Sequence, residues 1–205
     1  GGICCSHARG VHRGSAAFAL ANLDGEQLPR ILDVGCGQQK YPGAIGIDMN
    51  PDTAADVLCH LDEGSLPFRD NAFDEVRATH LIEHVDNIIR TIEEFHRVTR
   101  AGGIIVLITP HYTDFSSFCD PTHKWHLNSF SFRYFYPEGI HGHDHWYSRV
   151  RLRQRRLRVR LLQLWRYLGF EFLVNHSVRF RRFWEFYLCY VIRGKVMEFE
   201  LEVIK

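Results

Sequence analysis

No apolar run in this sequence reaches the roughly 18 residues that a membrane-crossing helix needs, and the aromatic-rich segment from Phe183 to Ile192 is too short to span. Net charge is nearly absent as well. Twenty-five Lys and Arg against 24 Asp and Glu leave +1, so no global field draws the chain to nucleic acid or to a bilayer. Six cysteines, Cys4, Cys5, Cys36, Cys59, Cys119 and Cys189, share no spacing that suggests a disulfide framework or a CxxC metal site. A reducing compartment, the cytoplasm, is therefore the expected location. No internal repeat is visible and no signal peptide is expected.

The rest is ordinary for a folded enzyme-sized chain: 205 residues, 45% hydrophobic and 24% charged. That length predicts one domain over residues 1–205 with a sizeable core. Residues 1–25 have weak periodicity and read as an N-terminal arm, with a short helix over Ser15–Asn22. Strands are predicted at Ile31–Val34, Ala44–Asp48, Ala54–Cys59, Phe73–Thr79 and Ile104–Thr109. The last of these is a continuous β-branched run of the kind found in a central parallel strand. Between them, Val85, Ile88, Ile89, Ile92, Phe95 and Val98 recur at helical spacing, which predicts a helix over Glu83–Arg100 ended by Ala101-Gly102-Gly103. Strands alternating with a helix argue for a parallel α/β sheet. Residues 111–147, rich in His, Phe, Ser and Asp, interrupt the alternation at a strand's carboxyl end, where substrate-binding insertions belong.

The chemistry concentrates around Ile31-Leu-Asp-Val-Gly-Cys-Gly37, followed by Asp48 at the end of the second strand. A dinucleotide turn needs G-x-G-x-x-G and an acid about twenty residues on. Here Lys40 fills the third glycine position and Asp48 arrives too early. The link between the strands holds at most a turn or two of helix, so a helix N-terminus for a pyrophosphate is not expected. The P-loop pattern GxxxxGK[ST] is missing too. Gly35 and Gly37 still permit close backbone approach to a ligand, and Asp48 can accept two hydrogen bonds from a ribose diol.

Six segments in this order resemble the class I S-adenosylmethionine-dependent methyltransferases, closest to the type 11 branch. They are Leu32-Asp-Val-Gly-Cys-Gly37, Gly46-Ile-Asp48, Asp62-Glu-Gly-Ser-Leu-Pro-Phe68, Asn71-Ala-Phe-Asp-Glu-Val76, His80-Leu-Ile-Glu-His-Val85 and Arg97-Val-Thr-Arg-Ala-Gly-Gly103. The resemblance implies a Rossmann-like three-layer α/β sandwich with a seven-stranded, mostly parallel sheet and an antiparallel last strand. It implies S-adenosylmethionine as cofactor. Asp33 and Gly35, Cys36 and Gly37 would surround its methionine part, Asp48 the ribose, and Met49 the adenine face. Asp62 and the backbone of Glu63 would meet the adenine edge, and Thr79 and His80 would lie beside the sulfonium. One departure stands out: many relatives carry a third glycine where this chain has Gln39.

On the acceptor side, methyl transfer needs alignment and desolvation, and a base only where a proton must leave. His80, His84 and His123 are the candidates for that base or for an acceptor contact. His80, Glu83 and His84 stand at i, i+3 and i+4, one face of a helix. With the later Asp120-Pro-Thr-His123-Lys124 they are similar to the metal-dependent small-RNA 2′-O-methyltransferases. That likeness would make His80, Glu83, His84 and His123 ligands of a divalent metal, one better matched to Zn, Fe, Co or Ni than to Mg. The favoured reading needs no metal, because Glu-His at this point also occurs where it only orients the loop. His141, His143 and His145 form a second cluster, read as a solvated loop or pocket lip.

The arginines at 149, 151, 153, 155, 156, 158 and 160 alternate along a predicted strand, and Glu198, Glu200 and Glu202 alternate along another. Cross-strand pairing is expected for Arg156, Arg158 and Arg160, leaving the others for an acidic ligand or another subunit. Val178–Ile192 reads as a helix whose aromatics fill the core, with a homodimer contact or a membrane surface as alternatives. The expected activity is methyl transfer to a small-molecule or glycan-related acceptor. The alternatives are a metal-dependent RNA ribose methyltransferase, with nucleic acid as partner, and a non-catalytic cofactor-binding protein.

Overall fold

The structure, a computed structural model, describes residues 30–137 and 147–205. The Ser15–Asn22 helix and the His141–His145 cluster lie outside the described residues. Seven strands form one sheet in the order β3-β2-β1-β4-β5-β7-β6. They are β1 (Ile31–Val34), β2 (Ile45–Asp48), β3 (Val57–Leu58), β4 (Phe73–Thr79), β5 (Thr99–Pro110), β6 (Arg151–Leu161) and β7 (Gly194–Ile204). The first five pair in parallel, and β7 is antiparallel to both β5 and β6. Six strands therefore share one direction and only the last in sequence opposes them. The α/β sheet is as the motifs imply.

Why these residues pack this way follows from the burial. Leu32, Val34, Val76, Ile105 and Leu107 on the central strands are at most 1% exposed, as the β-branched and leucine-rich runs require of strands covered on both faces. Helix α1 (Ile88–Val98) lays Ile92, Phe95 and Val98 on them, fully buried. Each such side chain contributes about 1.5–3 kcal/mol relative to exposure. At the far edge, Leu152 and Val159 of β6 and Met197, Phe199 and Leu201 of β7 form the continuation of the core, joined by Phe132 and Phe135.

Several sequence expectations need correction. Helix α1 begins five residues later than predicted, because Asn87 caps it, its side chain accepting from Arg90 N, while residues 81–86 form a turn. Its stop is Thr99, whose hydroxyl donates to Phe95 O at 2.6 Å, not the glycine pair. Gly102 (φ +71°) and Gly103 instead form the irregular entry of β5, where a Cβ on Gly103 would lie 2.7 Å from Asp74 O. No helix separates β1 from β2; residues 35–44 are turn and loop throughout.

The C-terminal third also differs. Residues 178–192 are not one helix but α5 (Val178–Phe183) followed by a π-helical turn over Trp184–Leu188. Nor do their aromatics fill the core. Trp184 is fully buried, but Phe186, Tyr187 and Tyr190 are about three-quarters exposed. The arginine pairing is shifted as well. A bulge between Gln154 and Arg156 turns both Arg153 and Arg155 to Glu202, at 3.3 and 2.7 Å. Arg156 reaches Glu200, as expected, whereas Arg160 turns to Glu171 of helix α4 (Phe170–His176). Arg158 sits opposite Glu198 in register without an ion pair among the described residues. Such half-exposed pairs contribute less than about 1 kcal/mol each.

Candidate active site

A cleft of about 600 Å³ opens at the carboxyl ends of β1, β2 and β4. Its wall includes Gly35, Asp48, Met49, Asp62, His80 and His84. Asp33, Cys36, Gly37, Glu63, Thr79 and His123 stand outside that wall, and the geometry of each shows what it does instead.

The glycine turn wraps back onto β2. The amides of Gly35 and Cys36 both donate to Ile47 O, at 2.8 and 3.2 Å. Gly35 (φ +67°) and Gly37 (φ +52°) take backbone angles that side chains resist. The Gly37 amide donates to Asp48 Oδ2 at 2.9 Å, and Asn50 N donates to Oδ1 at 2.9 Å. Asp48 is thus held on both oxygens, each with a lone pair left for a ligand hydroxyl. Asp33 supports the turn from behind: it is buried and accepts from Tyr41 N at 2.7 Å. Burial pushes its carboxyl above the usual range, opposed by that amide and by Arg77 and Lys40. Burial, with the nearby Asp33 and Asp48 carboxylates, likewise pushes the Cys36 thiol up.

At the far end, a 3-10 turn over Leu61–Glu63 presents Asp62, which accepts from Asp86 N at 3.0 Å through Oδ1. The neighbouring His60 lines the cleft with Nδ1 buried and unpartnered among the described residues. A buried nitrogen of this kind costs free energy unless something bonds it. A polar heterocycle at Asp62, with a diol on Asp48, would use the acceptors that these two carboxylates turn to the cleft. The acceptor set therefore fits a nucleoside such as the adenosine of S-adenosylmethionine.

The opposite wall is the turn after β4. His80 has φ +51°, rare for a side chain with a Cβ. Its amide still completes the sheet ladder, donating to Ile108 O at 2.8 Å. Its Nδ1 lies 3.2 Å from Glu83 Oε1, while Glu83 Oε2 accepts from Thr109 Oγ1 at 3.0 Å. Glu83 is fully buried, and its hydrogen bond holds the His80 imidazole above its usual midpoint against the opposing pull of burial. Segment 120–125 docks on this turn through the Glu83 carbonyl, which accepts from the amides of Lys124 (2.8 Å) and Trp125 (3.2 Å). Trp125 Nε1 adds a bond to Val85 O at 2.7 Å. Pro121, Thr122 and Lys124 thereby become cleft wall. His123 turns behind them, its ring 4.6 Å from that of His84. Glu83, His84 and His123 each offer a ligand atom within 4.8 Å of the other two; His80 is outside that group.

Sequence reasoning missed His60, Leu61, Leu81, Pro121, Thr122 and Lys124. The first two adjoin Asp62 and were findable as its neighbours. The segment Asp120–Lys124 was singled out through His123, but the bonds to Glu83 O that turn Pro121, Thr122 and Lys124 to the cleft are long-range and have no local signal. A second hollow, about 710 Å³, lies against β6 between helices α3 (Gln163–Tyr167) and α4, lined by Arg156, Arg158 and Arg166 among others. It is remote from the strand ends that carry the glycine turn.

A parallel sheet with a nucleoside-shaped cleft at its carboxyl edge defines the class of cofactor-binding α/β proteins. The family model for a methyltransferase domain, Methyltransf_11, matches residues 32–107. Over that segment the chain is similar to the class I S-adenosylmethionine-dependent methyltransferases, type 11 branch. A demethylmenaquinone methyltransferase of Chlorobaculum parvum is 31% identical over 115 residues, covering 47% of this chain and 47% of the relative. An ajmaline N-methyltransferase of Rauvolfia serpentina is 32% identical over 123 residues, covering 48% and 42%. The chain spans a little under half the length of these curated relatives. Among solved structures, a SAM-dependent methyltransferase from Archaeoglobus fulgidus has the same fold, with a TM-score of 0.57 at 17% identity over 85% of this chain and 86% of that one.

Proposed function

We propose that this chain catalyses S-adenosylmethionine-dependent methyl transfer to a small-molecule acceptor, working as a single cytoplasmic domain with 111–147 as its acceptor-side insertion. The observation that carries the reading is the continuity of the cleft. One cavity runs from Asp48 and Asp62 past Gly35 to His80, His84 and Thr122. S-adenosylmethionine, when bound, supplies an activated methyl group on a sulfonium. Asp48 then holds the ribose, Met49 and Leu61 flank the base, and Asp62 with the Glu63 backbone meets its polar edge. Gly35 to Gly37 leave room for the methionine part, with Asp33 behind them. Thr79, which ends β4, and His80, which follows it, would lie at the reacting side. Similar proteins include a demethylmenaquinone methyltransferase, an ajmaline N-methyltransferase and a malonyl-[acyl-carrier protein] O-methyltransferase, so the acceptor panel should include phenols, amines and carboxylates. Incubation with methyl-labelled cofactor should label one of these classes. Tight cofactor binding with no labelled product across the panel would favour a non-catalytic binding protein.

His80 is the residue proposed to receive the acceptor's proton. Its Glu83 partner favours the charged ring, so the neutral ring that can accept a proton is depleted until pH passes the raised midpoint. Transfer rate should therefore rise with pH through a midpoint above that of free histidine. The His80→Asn variant should be about 10²–10⁴-fold slower, the range general-base catalysis supplies, and lose that limb. An unaltered profile in the variant would assign the limb elsewhere. The same sign holds for stability: the charged His80–Glu83 pair supports the fold at low pH, and that support is lost as pH rises through the folded midpoint.

A second reading adds a divalent metal. Asp120 Oδ1 takes the Thr122 hydroxyl proton (2.6 Å), so Thr122 Oγ1 accepts from His84 Nδ1 (3.0 Å). His123 Nδ1 donates to Ser117 O at 3.1 Å. With Nδ1 so engaged, Nε2 is the nitrogen each ring has left to offer beside the buried Glu83 side chain. Two imidazoles fixed by outer-shell acceptors and one carboxylate form a donor set suited to Zn or Fe(II). Protein reconstituted with Zn²⁺ should retain about one equivalent after desalting, and His123→Ala should lose it. Retention by His123→Ala, or none by the parent, would exclude the metal.

A further inference from the structure

Segment 178–195 turns an aromatic face to solvent that the fold does not use. Phe186, Tyr187, Tyr190 and Val191 are 74, 75, 76 and 69% exposed, and Phe183 is 48% exposed. Phe183, Phe186 and Tyr187 are contiguous. The Tyr187 ring stands 5.2 Å from Phe183 and 6.2 Å from Phe186, and Tyr190 packs edge-on to Tyr112 at 5.9 Å. The π-helical turn is the device behind this display. Trp184 anchors it from below, donating through Nε1 to Ile192 O at 2.7 Å, and Phe186, Tyr187, Tyr190 and Val191 project outward.

The charges around this face have one sign. Arg179, Arg182, Arg193 and Lys195 are all exposed, and none has a carboxylate partner among the described residues. The only acid in the segment, Glu185, points inward. Its Oε1 accepts from Ser129 N at 2.9 Å and lies 3.3 Å from His111 Nε2. Solvent therefore meets aromatic rings bordered by cations. Tyr112 follows the carboxyl end of β5, so this face and the cofactor cleft open at the same end of the sheet.

We propose that residues 178–195 dock on an anionic lipid bilayer surface. Phe and Tyr rings suit the headgroup boundary, where an apolar body meets a wet edge, and the flanking cations suit anionic lipid. A second copy of the chain fits the face less well. A two-fold interface sets each patch against itself, bringing Arg179 and Arg182 toward their own copies. The proposal stands on these side chains alone and does not require the transfer activity.

The full chain is tested by co-sedimentation with vesicles of phosphatidylcholine alone and of phosphatidylcholine mixed with phosphatidylglycerol. Binding is expected to the mixed vesicles only, weakening as salt rises. The triple variant Phe186→Ser, Tyr187→Ser, Tyr190→Ser should bind at least about tenfold more weakly, through the loss of inserted apolar area. Arg179→Glu with Arg182→Glu should weaken it comparably. Both variants should keep the parent's thermal midpoint and cofactor affinity, which separates this face from the cleft. A parent chain that stays in the supernatant with mixed vesicles overturns the proposal, as does undiminished binding by the triple variant. A lipid-free dimer in light scattering that dissociates in the triple variant would make the face a self-interface instead.

Discussion

Replacing Asp48 with alanine is expected to weaken S-adenosylmethionine binding by about 10²–10⁴-fold. The side chain offers one free lone pair on each oxygen to a ribose diol, and each charge-assisted bond of this kind is worth about 1.5–3 kcal/mol. Two such bonds give about 3–6 kcal/mol, at about 1.4 kcal/mol per tenfold. The loss is compounded by the turn itself, since the Gly37 and Asn50 amides would lose their acceptors. Asp48→Asn, which keeps an acceptor on one side, should fall between parent and alanine variant. Titration calorimetry reads both. An alanine variant with the parent's affinity would remove Asp48, and with it the ribose end of the cleft, from the assignment.

The half of the cleft around Asp48 was readable in sequence for a physical reason. β1, the glycine turn and β2 are consecutive, and their contacts follow from local chain geometry: strand, positive-φ glycine, strand, acid. The same holds for Phe73–Thr79, whose bounds coincide with β4. Legibility ended where contacts became long-range. The His80–His84 spacing suits a helix, yet the segment is a turn, because buried Glu83 bonds Thr109 on the next strand and its carbonyl takes two amides from the insertion. No local pattern encodes those partners. In the arginine strand the adjacent Arg155-Arg156 break the alternation, and the bulge falls there. The partner of Arg160 was not, since Glu171 belongs to a helix packed over the strand. Residues 178–192 failed differently. Their apolar content exceeds one helical face, which reads as core, but the π-helical turn buries Trp184 and leaves Phe186, Tyr187, Tyr190 and Val191 outside.

Trp184→Ala is expected to destabilise the fold by about 3–5 kcal/mol, the usual cost of deleting a large buried aromatic. In a chain of this size that lowers the thermal midpoint by about 6–20 °C, at about 2–4 °C per kcal/mol. Three contacts fall together. The indole fills a fully buried position, its Nε1 satisfies Ile192 O at 2.7 Å, and its ring packs 5.0 Å from that of fully buried His111. His111 in turn faces Glu185. Burial pushes the Glu185 carboxyl up, but its bonds to His111 and Ser129 hold it below the usual range. A cavity at Trp184 would let water reach that pair and weaken the hold of the π-helical turn on the sheet. Phe186→Ala, two residues away on the same turn, should stay within about 0.5 kcal/mol of the parent, as solvent-facing substitutions do. Denaturant melts of the two variants separate the anchor from the displayed face. Equal losses would mean that Phe186 is packed as tightly as Trp184, and that the aromatic face is internal after all.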